Sequence, residues 1–106
     1  MSRLERLKEM LAADPKDVFL RYAMGMELKG LDQHPECIEI FQGLMREAPP
    51  HVPSFFMAGQ ALVASGLIDE ARAVLRDGID EARRQKDLHA AGEMSEFLAS
   101  LGVFGE

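Results

Sequence analysis

Residues 55–78 read FFMAGQALVASGLIDEARAVLRDG: a helix-forming stretch, a turn at glycine, and a second helix-forming stretch. Phe55, Ala58, Gly59 and Leu62 fall at helical intervals on the first, and Ala71, Leu75 and Gly78 on the second. A similar block lies upstream. Phe19 to Gly30 runs from an aromatic residue to a glycine over the same eleven-residue step as Phe55 to Gly66. Cys37, Phe41 and Leu44 repeat the spacing of Ala71, Leu75 and Gly78, with Ile38 opposite Arg72. The first comparison has an offset of 36 residues and the second of 34. The difference predicts a two-residue insertion in the first copy, at Leu31–His34 against Leu67-Ile68, where a surface loop absorbs it cheaply.

Working outward, the same signals predict six helices. Ser2 and Glu5 stand at capping-box spacing, followed by Leu4, Leu7, Met10 and Leu11 on one face. Asp14-Pro15 stops that helix and suits the cap and first position of the next, which spans about Pro15–Lys29 with Gly30 as its stop. A third begins near Pro35 and ends before Pro49-Pro50. The fourth starts around Pro53 and ends at Gly66, the fifth runs from Asp69-Glu70 toward Gln85, and the sixth covers 88–101. Residues 102–106 form a short tail.

These residues resemble the tetratricopeptide repeat family. The second copy carries Phe55, Ala58-Gly59, Leu62, Gly66, Ala71, Leu75 and Gly78 at the family's pattern positions. The first carries Phe19, Tyr22-Ala23, Met26, Gly30, Cys37, Phe41, Leu44 and Pro49. The pattern departs at Cys37, at Leu31–His34 and at the missing proline after the second copy. The resemblance implies an all-α domain of antiparallel helix pairs, stacked as a short right-handed α-solenoid. Its parts are a half-repeat at 2–14, repeats at 15–50 and 51–86, and a capping helix at 87–101. Each pair has an apolar face that only a neighbour can cover. Small residues at Ala23, Cys37, Gly59, Ala71 and Gly78 let helices approach, and Phe19, Tyr22, Phe41, Phe55 and Leu75 fill the space between.

Composition narrows the function. A net charge of −6 lacks the basic footprint that nucleic-acid binding needs, and the local run Arg83, Arg84, Lys86 is flanked by Glu81 and Asp87. No apolar run approaches a membrane span and no stretch reads as a signal peptide, so the expected location is cytoplasmic. Cys37 is the one cysteine and suits a packing position. His34, His51 and His89 are dispersed. His89 and Glu93 share a helix face, yet nothing completes a zinc site. Ser54, Ser65, Ser95 and Ser100 have no base placed by any motif, and Asp69-Glu70 and Asp80-Glu81 read as helix-end or solvated charges. No metal, cofactor or catalytic residue is expected, and no enzyme.

What remains is a binding surface. In the tetratricopeptide family the first helices of successive repeats line a concave groove. The resemblance places Leu20, Met24 and Glu27 there from one copy, Phe56, Gln60 and Val63 from the other, and His89 and Glu93 from the last helix. The Lys and Asn with which some members hold a peptide carboxylate are replaced here by Leu20, Met24, Phe56 and Gln60. An apolar groove with a polar rim suits an amphipathic helix or an extended peptide of a protein partner. It equally suits a homodimer contact, or Val103-Phe104 of the chain's own tail. Because the last helix covers apolar surface of the fifth, truncation to 1–87 is expected to cause aggregation or loss of helicity. Circular dichroism with size exclusion checks this, and a well-folded monomeric fragment contradicts it.

Overall fold

The computed structural model describes residues 1–102, which form six α-helices and, among the described residues, no strand. They are α1 (Arg3–Ala13), α2 (Val18–Gly30), α3 (His34–Met45), α4 (Val52–Ala64), α5 (Ile68–Arg84) and α6 (Leu88–Leu101). Each packs on its neighbour in sequence, and α4 also touches α2 and α6. The proposed tail occupant, Val103-Phe104, lies outside the described residues.

Local chemistry sets the boundaries. Ser2 Oγ accepts from the Glu5 amide and Glu5 Oε1 from the Ser2 amide, both at 3.1 Å, closing a capping box on α1. The cap of α2 differs from expectation. Asp17, rather than Asp14, accepts from the Leu20 amide at 2.8 Å, while Asp14 and Pro15 stay in the preceding turn. Leu20 stands three positions after Asp17, the reach an N-cap carboxylate needs, and this ties the start of α2 to Asp17. Asp87 caps α6 in the same way through the Ala90 amide.

Three of the turns share one construction. Asp32, Gly66 and Lys86 have φ of 59°, 80° and 62°, in the left-handed region. One residue beyond each, the amides of Gln33, Leu67 and Asp87 donate back to the carbonyls of Leu28, Leu62 and Ala82. This is the Schellman arrangement, which satisfies carbonyls that the helix end leaves open. Gly66 takes the conformation freely, whereas Asp32 and Lys86 do so against the side-chain clash that L-residues meet there.

That construction corrects the repeat register. The helix starts Val18 and Val52, and likewise His34 and Ile68, are 34 residues apart, and the left-handed residues Asp32 and Gly66 keep the same step. There is no insertion at Leu31–His34. Gly30 is the last residue of α2 and not the counterpart of Gly66. Phe19 likewise is not the counterpart of Phe55: it is 77% exposed, while Phe55 is buried. The aromatic–glycine match aligns two pairs that look alike and sit in different places.

The helix pairs close through glycines. A Cβ at Gly25 would lie 2.6 Å from Phe41 Cε1, and one at Gly59 would lie 2.8 Å from Leu75 Cδ2. Gly25 and Gly59 are again 34 apart, as are Phe41 and Leu75, so the same contact joins α2 to α3 and α4 to α5. The small residue expected at Ala23 is in fact Gly25. A Cβ at a third glycine, Gly78, would lie 2.5 Å from Phe55 Cβ and 2.6 Å from Met94 Sδ, so this glycine joins α5 to both α4 and α6.

Around these contacts sit two apolar clusters. Leu7, Met24, Leu28, Cys37, Phe41, Leu44, Ala58 and Ala61 form one. Val52, Phe55, Leu75, Ile79, Ala82, Ala91 and Met94 form the other. Helix α4 contributes to both. Polar links fasten helix ends: Arg21 Nη1 to Glu47 Oε2 at 2.9 Å, and Arg72 Nη2 to the Leu101 carbonyl at 2.8 Å. Cys37 is fully buried, its thiol donating to the His34 carbonyl at 3.3 Å, and burial raises its pKa. Both features suit packing and oppose thiolate reactivity.

Gly78→Ala is expected to destabilise the chain by about 1–3 kcal/mol, because Phe55 Cβ is held by backbone and cannot swing aside. Gly92, with nothing within 4 Å, is the control. Gly92→Ala should be neutral or stabilising by up to about 1 kcal/mol through helix propensity alone. Urea unfolding of the two variants checks the difference.

Candidate functional site

Side chains from separate helices converge where α4 faces α6, with α2 at its edge. Three elements supply it. Tyr22 comes from α2, Val52, Pro53, Phe56 and Met57 from α4, and His89, Ala90, Glu93 and Met94 from α6, with the α6 cap Asp87 at the margin. They surround a cleft of about 320 Å³. A shallower hollow continues from it, lined by Phe56, Glu93, Glu96, Phe97 and Ser100. Phe56 and Glu93 belong to both, so the two form one depression along α6. Phe56 packs edge-on against Phe97, with ring centroids 5.6 Å apart.

The walls are apolar and the margin is acidic. Asp87, Glu93 and Glu96 line the depression, and neither part has a Lys or Arg among its lining residues. Glu93 Oε1 lies 3.5 Å from His89 Nε2. The described residues hold no group of three or more His, Cys, Asp or Glu able to share a metal ion.

At the edge of the cleft, Tyr22 has two ring neighbours. Its ring tilts against Phe41 at 5.9 Å and against His51 at 4.8 Å. His51, at the N-cap of α4, shares a 2.8 Å hydrogen bond through Nδ1 with Oγ of the fully buried Ser54. Ser54 is thereby a satisfied core hydroxyl. Burial lowers the His51 pKa, and the nearby Arg21 charge lowers it further.

Of the residues expected in a groove, Phe56, His89 and Glu93 come together in this cleft. The others separate. Met24 is only 7% exposed and sits in the first core cluster, bordering a different cavity of about 310 Å³ between α1, α2 and α3. Leu20 is half-buried against that same cluster. Glu27 pairs with Arg3 at 3.1 Å. Gln60 and Val63 are half-buried on α4 and line neither part of the depression. For the α2 residues the 36-residue register is the cause: it placed Met24 opposite Gln60, whereas the 34-residue step puts Met24 opposite the buried Ala58. In the corrected register Tyr22 precedes Phe56 by 34 residues and Met26 precedes Gln60. Phe19, Tyr22 and Met26 then share one face of α2, at i, i+3 and i+7. Phe19 and Met26 are exposed on it, and Tyr22 opens into the cleft.

No protein-family model matches the chain, and no curated protein matches it. The chain is similar to protein BPP2914 from Bordetella parapertussis, known from a solution structure. The two are 23% identical with a TM-score of 0.84, over 95% of this chain and 88% of that one. At that identity the likeness establishes the helical fold they share. Among the described residues, no helix is long and apolar enough to cross a membrane.

The His51 environment has a pH consequence. Its folded pKa lies below the ordinary value, so in the window just below pH 6.5 the unfolded chain binds more protons than the folded one. This part of the stability is present above pH 6.5, is lost as pH falls, and stops changing below the folded pKa. Urea unfolding between pH 7.5 and pH 5 should show the decline, and His51→Gln should flatten it.

Proposed function

We propose that the chain is a non-catalytic binding module of the tetratricopeptide type, taking a peptide segment of a partner protein in the depression between α4 and α6. The observation that carries this is the convergence of Tyr22, Phe56, Met57, Phe97 and Met94 from three helices around an open cleft. Apolar clefts with a few polar groups at the margin are the common form of binding sites. The 34-residue step of helices and turns, and the repeated glycine contacts, support reading α2–α3 and α4–α5 as successive repeats of a short solenoid. In that reading α2, α4 and α6 are the first helices of their units, and the cleft is the concave side. The repeats serve to hold aromatic side chains at fixed separation, as an adaptor or scaffold requires.

Selection of displayed random peptides on the immobilised full chain tests this. Enriched peptides are expected to compete with one another and to lose at least ten-fold in affinity on Phe56→Ala, with far-UV circular dichroism unchanged. Failure to enrich any peptide, or enriched peptides indifferent to Phe56→Ala, contradicts it.

A further inference from the structure

The depression has a directional chemistry that selects among peptides. Its floor is apolar, formed by Phe56, Met57, Met94 and Phe97, and its carboxylates are Asp87, Glu93 and Glu96. Helix α6, LHAAGEMSEFLASL, contains no Lys or Arg. The nearest basic run is Arg83, Arg84 and Lys86. Arg84 is turned back onto Glu81 at 2.8 Å, and none of the three lines the depression. Asp87 is occupied by the Ala90 amide and Glu93 lies near His89, which leaves Glu96 as the carboxylate most open to a new partner. From Asp87 to Ser100 the helical rise spans about 20 Å, the length of three to four turns of a second helix.

We infer that the occupant is a basic amphipathic segment of a partner protein. Its apolar face lies over Phe56 and Phe97, and its Lys or Arg side chains meet Glu93 and Glu96. This deepens the proposed function and rests on it. Charge complementarity selects this occupant: a Lys or Arg stem runs along apolar wall while its head reaches a carboxylate at the margin. An acidic segment would meet like charge at Asp87, Glu93 and Glu96.

The test uses the full chain and three synthetic 18-residue amphipathic helices. They share one Leu/Phe face and carry Lys, Gln or Glu on the other. Titration by fluorescence anisotropy at low and at physiological salt should rank Lys above Gln above Glu. E93Q/E96Q should weaken the Lys peptide five-fold or more and leave the Gln peptide unchanged. The variant E9Q/D80N removes the same charge from exposed positions outside the depression and should have little effect. Equal weakening by both double variants means a net-charge effect and overturns the inference. Binding of the Gln or Glu peptide as tightly as the Lys peptide, lost on Phe56→Ala, also overturns it while leaving the cleft as the binding site. If no peptide binds, or Phe56→Ala changes nothing, the cleft itself is the wrong surface. Two other occupants would replace the proposed one. A homodimer by light scattering that Phe56→Glu breaks identifies a second copy, and a ten-fold gain in peptide affinity on Phe104→Ala identifies the chain's own tail.

Discussion

The fold depends on how closely its helices approach at Gly25, Gly59 and Gly78. Each glycine receives a large side chain where a methyl group would have no room: Phe41, Leu75, and Phe55 with Met94. Helices that meet backbone-to-side-chain in this way have their separation set by one contact, and packed interiors leave little slack to adjust it. The first two contacts recur at a 34-residue step, so the same close approach joins α2 to α3 and α4 to α5. The third fixes where α6 sits over α4, and so the width of the cleft between them. The site is thus a consequence of packing one layer below it.

The turns enforce the same period by a different means. The Leu28, Leu62 and Ala82 carbonyls each take an amide from beyond a left-handed residue, so each helix is reversed by three residues. Asp32 and Lys86 accept an unfavourable backbone conformation at two of these places, which the satisfied carbonyls and the packing beyond offset. A longer turn would shift Phe41 off Gly25, the residue it faces. The expected two-residue insertion would therefore have disturbed the core as well as the loop.

Much of this was legible in the chain. The helical class, the count of six, the Ser2–Glu5 box and the 88–101 span all follow from spacing and caps. So do the packing roles of Cys37, Phe41, Phe55, Leu75 and Gly78, because their periodicity reports one buried face. The register of the first copy was not. Gly30 resembles a helix stop, yet Asp32 is the residue that turns left-handed, and short polar side chains tolerate that region well enough to hide it. Phe19 resembles Phe55 by type alone. Those two resemblances moved the expected groove by two residues, which on a helix turns a face by more than half a revolution. Hence Met24 is found in the core, and Tyr22, read as a core residue, opens into the cleft. An aromatic residue at helical spacing fits either role, and only the position of the neighbouring helix decides.

The depression along α6 combines an apolar floor with the carboxylates of Asp87, Glu93 and Glu96, and the α4–α6 separation that opens it descends from the contact at Gly78. A double-mutant cycle between Gly25 and Phe41 tests most directly whether such contacts set the helix spacing. Gly25→Ala alone crowds Phe41 and Phe41→Leu alone leaves space, so the methyl group of the first should occupy the space left by the second. The double variant is then expected to be more stable than the sum of the single effects by about 1 kcal/mol or more in urea unfolding. Additivity within about 0.3 kcal/mol would contradict the account, since the two residues would then not share the contact on which the helix spacing is said to rest.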